Sequence, residues 1–182
     1  ITCSGAPLGQ STGAVEMHTY TSDNAYPNGV ALTGVPPSTG WYFAYVSCCR
    51  PYGSNFNSTP DNFVYKVVMF PYDNSPVDNC FDNSPVFMEP PAPLVCAGNS
   101  AVLNYMALDI DSDSLVYEWA PLLLQLTSPY SAYTSGYSYM SPFPGTVHDP
   151  ANVPAVLDQE TGIITFKSVT TGAYFHVIKV SS

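Results

Sequence analysis

Positive charge is nearly missing from this chain. Four Lys and Arg (Arg50, Lys66, Lys167, Lys179) stand against fourteen Asp and Glu in 182 residues, a formal net charge of −10. Nucleic acids and anionic bilayers are bound through clustered cations that displace counterions, so neither is expected as a partner. Cations are the natural ligands. No apolar run approaches the roughly 18 residues needed to span a bilayer as a helix, so membrane insertion is not expected. Windows for long helices are also lacking, because eighteen Pro, about twice the ordinary share, are spread along the chain. The cysteines lack the C-x2-C knuckles of a structural zinc site.

What is present is aromatic: 14 Tyr, 9 Phe and 2 Trp in a chain that is 46% hydrophobic but only 10% charged. A disordered acidic tail is poor in aromatics, so this chain is expected to bury a core. Short β-branched and aromatic stretches bounded by Gly, Pro, Asn and Asp read as strands. They are Trp41 to Ser47, Asn62 to Phe70, Ala101 to Leu108, Leu115 to Trp119, Ile163 to Phe166 and Tyr174 to Val180. In Ala101 to Leu108, Val102, Tyr105 and Met106 also fit helical spacing. The alternation of Trp41, Phe43 and Tyr45 predicts a core-facing side, and Trp119 reads as core.

The fold class is therefore all-β, as two consecutive β-sandwich modules. A segment with six Pro and the acids Asp73, Asp78, Asp82 and Glu89 spans 71–94, and the boundary is placed near residue 84. This yields an Ig-like module over 1–84 and a cadherin-like module over 85–182. Ile1 as first residue suggests a processed chain or a piece of a longer one.

Five Cys beside so few Lys and Arg suit an extracellular protein with disulfides. Connectivity is not deducible from spacing. Cys80 with Cys96 is favoured, because the Pro-rich stretch between them must double back between strands. Cys3 then takes Cys48 or Cys49, adjacent residues on opposite faces of a strand, with Cys48 the candidate carried forward.

The sharpest local signal is Asp109-Ile110-Asp111-Ser112-Asp113. Carboxylates at alternate positions repel unless they face water or a hard cation such as Ca²⁺, which takes about 6 to 8 oxygen ligands. An EF-hand is excluded, because its sixth position would be Ser114 and its twelfth Ala120. A solvated acidic turn is the alternative.

Nucleophilic catalysis needs an activated Ser or Cys with a partnering base. His18, His148 and His176 are scattered, and His176 reads as a packed ring. A glycosidase pair such as Asp111 and Glu118 depends on a separation that sequence does not test. No enzyme is expected. Ser128 to Gly145 carries Tyr130, Tyr133, Tyr137 and Tyr139 among Ser and Gly, the composition of adaptable binding loops. Tyr133, Tyr137 and Tyr139 are therefore candidate ligand-binding residues, and a glycan-binding, lectin-like domain is the alternative function.

Asp82-Asn83-Ser84-Pro85-Val86-Phe87 resembles the cadherin linker D-N-x-P-x-F, and Ala107-Leu108-Asp109-Ile110-Asp111 resembles the A-x-D-x-D that follows it. Leu157-Asp158-Gln159-Glu160-Thr161-Gly162-Ile163-Ile164 is similar to the cadherin L-D-x-x-T-G-x-I turn. The resemblance implies calcium at the joint, held by Asp82, Asn83, Asp109 and Asp111, with Asp113 and Glu89 as further candidates. The first half lacks the L-D-R-E motif, so one or two ions are expected there.

Trp41 to Pro51, Asn83 to Phe87 with Val95 to Gly98, Asp113 to Tyr117 and Gly136 to Tyr139 also resemble domain pairs in giant Bacteroidetes surface proteins. These are the gliding-associated adhesins and appendage proteins exported by type IX secretion. The resemblance implies an extracellular stalk or filament module, with neighbouring β-domains or copies of itself as partners; surface glycans are a further candidate partner, from the tyrosine loop.

Overall fold

The computed structural model describes residues 33–48, 50, 52–58, 62–71, 83–88 and 94–182. Among them every regular element is a strand, eleven in all, and the protein is all-β. β1 (Trp41–Cys48) and β2 (Asn62–Met69) form an antiparallel ribbon in unbroken register, from Trp41 opposite Met69 to Cys48 opposite Asn62. Two-residue β3 (Val86–Phe87) pairs with β5 (Ala107–Leu108). β4 (Ser100–Asn104), β10 (Ile163–Lys167) and β9 (Val153–Leu157) make one three-stranded sheet in that order. β6 (Val116–Trp119) pairs with β11 (Ile178–Ser181), and β7 (Leu123–Gln125) with β8 (Ser128–Pro129).

The ambiguous stretch 101–108 is decided by its neighbours. Ala101, Leu103 and Tyr105 are buried while Val102, Asn104 and Met106 are exposed, a period of two that a helix does not produce. The strand is interrupted at Tyr105–Met106, where Asn104 Oδ1 accepts the Met106 N–H (3.0 Å). This side-chain turn lets the chain leave the β10 sheet and pair with β3. The buried residues of β4 and β10 join Phe143 in one core, with Trp119, Ala155, Leu157, Tyr174 and Ile178 against it. The sheets β4-β10-β9 and β6-β11 thus share one interior.

The β9–β10 connection follows the L-D-x-x-T-G pattern physically. Asp158 Oδ1 accepts the N–H groups of Glu160 and Thr161, each at 2.9 Å. These backbone bonds hold its carboxyl below the usual carboxylate range. Gly162 closes the turn at φ +70°, and a Cβ there would come within 2.6 Å of the Tyr117 ring.

Two expectations are corrected. Tyr42, Phe43 and Tyr45 of β1 are 54%, 44% and 42% exposed, so Phe43 and Tyr45 are not core residues. The β7–β8 pair reaches the ribbon at β2, where the Asn62 amide donates to the Leu124 carbonyl (3.2 Å), yet it leaves these rings exposed, and alternation by itself does not bury a face. The last strand is shorter than Tyr174 to Val180, because the backbone before Ile178 is spent elsewhere. Asn55 donates to the Phe175 carbonyl (2.7 Å) and accepts the Phe175 N–H (3.2 Å), while Ala120 N–H bonds the Val177 carbonyl (3.0 Å).

Residues 53–58, which precede the expected boundary, pack into the C-terminal half. Phe56 is buried with Leu122 and Tyr130, forms a β-bridge with Tyr133, and stacks on Phe175 (centroids 5.7 Å apart). Fully buried Asn55 also donates to the Pro142 carbonyl at 3.1 Å. These contacts link residues on the two sides of position 84.

Three outcomes are expected. Gly162→Ala combines a left-handed backbone with a clash and should cost about 1 to 3 kcal/mol in chemical denaturation. Asn55→Ala strands the buried Pro142 carbonyl and two half-buried backbone groups of Phe175 and should cost roughly 3 kcal/mol, read as a lowered midpoint. His176, surrounded by the rings of Tyr105, Trp119 and Phe143, is pushed by burial from 6.5 down to about 4. Between those pH values the unfolded chain binds the proton and the folded one does not, so stability falls as pH falls from 6.5 towards 4. The loss amounts to about 3 kcal/mol, and His176→Phe should flatten this slope in denaturation curves measured across the window.

Candidate functional site

β5 ends at Leu108, and the chain then turns sharply. Ser112 N–H bonds the Asp109 carbonyl (3.3 Å), Asp111 N–H bonds Asp109 Oδ1 (2.8 Å), and Ser112 sits at φ +67°. The turn draws Asp109 inward, where it is 7% exposed. One carboxylate oxygen is satisfied by the turn, while the other, Oδ2, is buried with no hydrogen-bond partner among the described residues.

Asp111 points to the segment that precedes β3. Its Oδ2 accepts the Asn83 backbone N–H (2.7 Å) and the Asn83 side-chain amide (3.0 Å), and its Oδ1 accepts that amide at 3.2 Å. Antiparallel pairing of β3 with β5 brings the two segments together, so Asn83 and Asp111 meet although 28 residues apart. Asp113 is exposed and makes no hydrogen bond among the described residues. Asp82 and Glu89 lie outside them.

The structure therefore brings together Asn83, Asp109 and Asp111 of the expected ligands, and leaves Asp113 in solvent. No group of three or more His, Cys, Asp or Glu placed to hold a metal occurs among the described residues. Two carboxylates, an amide and turn carbonyls are nonetheless oxygen donors of the kind a hard cation takes. The orphaned Asp109 Oδ2 fits such a group, because a buried carboxylate oxygen without a donor is costly unless a cation meets it.

Cys48 and Cys96 are each in a disulfide, while Cys3, Cys49 and Cys80, and with them the expected pairings Cys80–Cys96 and Cys3–Cys48, lie outside the described residues. The tyrosine loop divides. Tyr133 is half-buried against Phe56 and Tyr130, and burial pushes its hydroxyl up. Tyr137 lies over His148 with centroids 4.0 Å apart and near Tyr174 at 5.9 Å. Only Tyr139 of the three candidates is exposed, at 40%. His148 Nδ1 accepts the Gly145 N–H (3.2 Å), which engages it in its own loop.

Two features escape the sequence reading. Asn55 carries no pattern that marks it as a buried hub. Gly9-Gln10-Ser11-Thr12-Gly13 has the G-x-S-x-G spacing of a nucleophile elbow, which the expectation of a non-catalytic chain leaves out of account; it lies outside the described residues. No family model matches the chain, and neither a curated protein nor a solved structure shows significant similarity to it.

Proposed function

We propose that this chain is an extracellular structural and adhesive module of a large cell-surface or filament-forming protein, stiffened by calcium and disulfides. The observation that carries the reading is the buried Asp109 oxygen without a partner, beside an Asp111 that grips the incoming segment at Asn83. A divalent ion there would be held by Asp109 and Asp111, with the Asn83 amide oxygen as a further donor. Bound, it would supply the positive charge that this acidic corner lacks and tie the segment before β3 to the turn after β5.

Further support comes from composition. A chain with four cationic side chains and net charge −10 gains from cation binding by partial neutralisation. The disulfide-bonded Cys48 and Cys96 suit an oxidising compartment, and no helix among the described residues is long and apolar enough to cross a membrane. The motif resemblance to cadherin joints and to Bacteroidetes type IX-secreted surface proteins agrees with this reading. Two β-sandwich modules within a longer array, with neighbouring domains or copies as partners, are part of the proposal.

A thermal melt in calcium against one in chelator tests it. Calcium at about 100 times its dissociation constant stabilises by about 2.7 kcal/mol, which for a chain of this size raises Tm by about 5 to 10 °C. Asp109→Asn and Asp111→Asn should each remove most of the shift, and Asp113→Asn should retain most of it. Identical midpoints in calcium and chelator would refute the metal.

A further inference from the structure

A cavity of about 240 Å³ opens on the side of the molecule formed by β6 and β9, lined by Glu118, Trp119, Tyr139, Met140, Leu157 and Gln159. Two aromatic rings and two polar side chains thus meet around a space that admits a single sugar ring and little more. The Gln159 side-chain amide, the Tyr139 hydroxyl and the Trp119 indole N–H make no hydrogen bonds among the described residues.

The charge of the cavity selects among ligands. Glu118, its one acid, is paired through Oε2 with Lys179 Nζ at 2.9 Å. In a chain of net charge −10, this spot carries no uncompensated carboxylate to attract a cation. A neutral polyol, by contrast, needs acceptors and donors without net charge, and aromatic surface for its C–H faces.

Tyr139 is exposed yet held. Ser138 and Ser141 exchange backbone hydrogen bonds, each at 3.2 Å, and Ser138 Oγ accepts the Ser141 N–H at 3.1 Å. Tyr139 and Met140 form the tip of this closed turn, at 40% and 63% exposure. The next residues, Pro142 to Gly145, are buried, and Asn55 anchors the Pro142 carbonyl. An aromatic side chain presented on a fixed support gives contact area at low entropic cost.

We propose that this cavity is a binding subsite for one neutral hexopyranose unit of a glycan. Tyr139 and Trp119 supply aromatic contact, and Gln159 and Glu118 hydrogen-bond the hydroxyls. The inference goes beyond the stalk function and shares no residue with the aspartate turn, so the two stand or fall separately.

The test uses the full chain with Trp41→Phe, which leaves Trp119 as its one tryptophan. Its emission is titrated in calcium buffer with neutral saccharides of gluco, galacto and manno configuration, with choline as a cationic control. At least one sugar should saturate with a dissociation constant on the order of 1 mM. Tyr139→Ala should weaken it about tenfold, Gln159→Ala should weaken it as well, and Tyr139→Phe should keep most of it. The melting midpoint of Tyr139→Ala should be unchanged, which separates lost binding from lost folding. Failure of every sugar to saturate, affinity that survives Tyr139→Ala, or saturation by choline alone would overturn the proposal.

Discussion

The buried amide of Asn55 is the contact on which the arrangement of the described chain turns. A side chain with two donors and an acceptor sits in a fully buried position, where each group must find a partner or cost stability. It finds them on two distant segments, at Pro142 and at both backbone groups of Phe175. The loop between β1 and β2 is thereby tied to the segment that leads into β11. Phe56 follows it inward, and the rings of Tyr130, Tyr133 and Phe175 gather around that phenylalanine. Arg50 adds a second tie, with its guanidinium bonded to the Asn62 carbonyl and 5.7 Å from the Phe175 ring centre.

That anchoring also sets the surface. Because the tyrosine loop is spent on Phe56, His148 and Tyr174, most of its rings serve as packing. Tyr139 alone among the three candidates is left outside, on a turn too short to collapse. The acidic turn at Asp109 obeys a different logic. Its backbone bonds force one carboxylate oxygen inward without a donor, and low net cationic charge leaves no Lys or Arg to answer it. Packing therefore organises the aromatic loop, and electrostatics organises the joint.

Strand positions were readable where the pattern is local. β1, β2, β6 and β10 lie within a residue of their expected bounds, since β-branched and aromatic runs closed by Pro, Gly and Asn leave the backbone few alternatives. The Asp158 to Gly162 turn was read from a motif resemblance, and its side-chain acceptor and positive-φ glycine act within five residues. The meeting of Asn83 with Asp111 followed from a motif resemblance; composition did not imply it. Asn55, the break at Tyr105–Met106 and the exposure of Phe43 and Tyr45 had no local signature, because each depends on what a distant segment does.

The amino-acid sequence by itself determined the all-β character, the acidic surface and the turns, because these follow from short-range sterics and from charge summed along the chain. Only the tertiary structure decided which aromatic residues are core, which tyrosine faces solvent, and which aspartate oxygen lacks a partner. Burial and hydrogen-bond satisfaction belong to the space between segments, and residues such as Asn55 and Phe175, 120 positions apart, carry no trace of that proximity in their order along the chain.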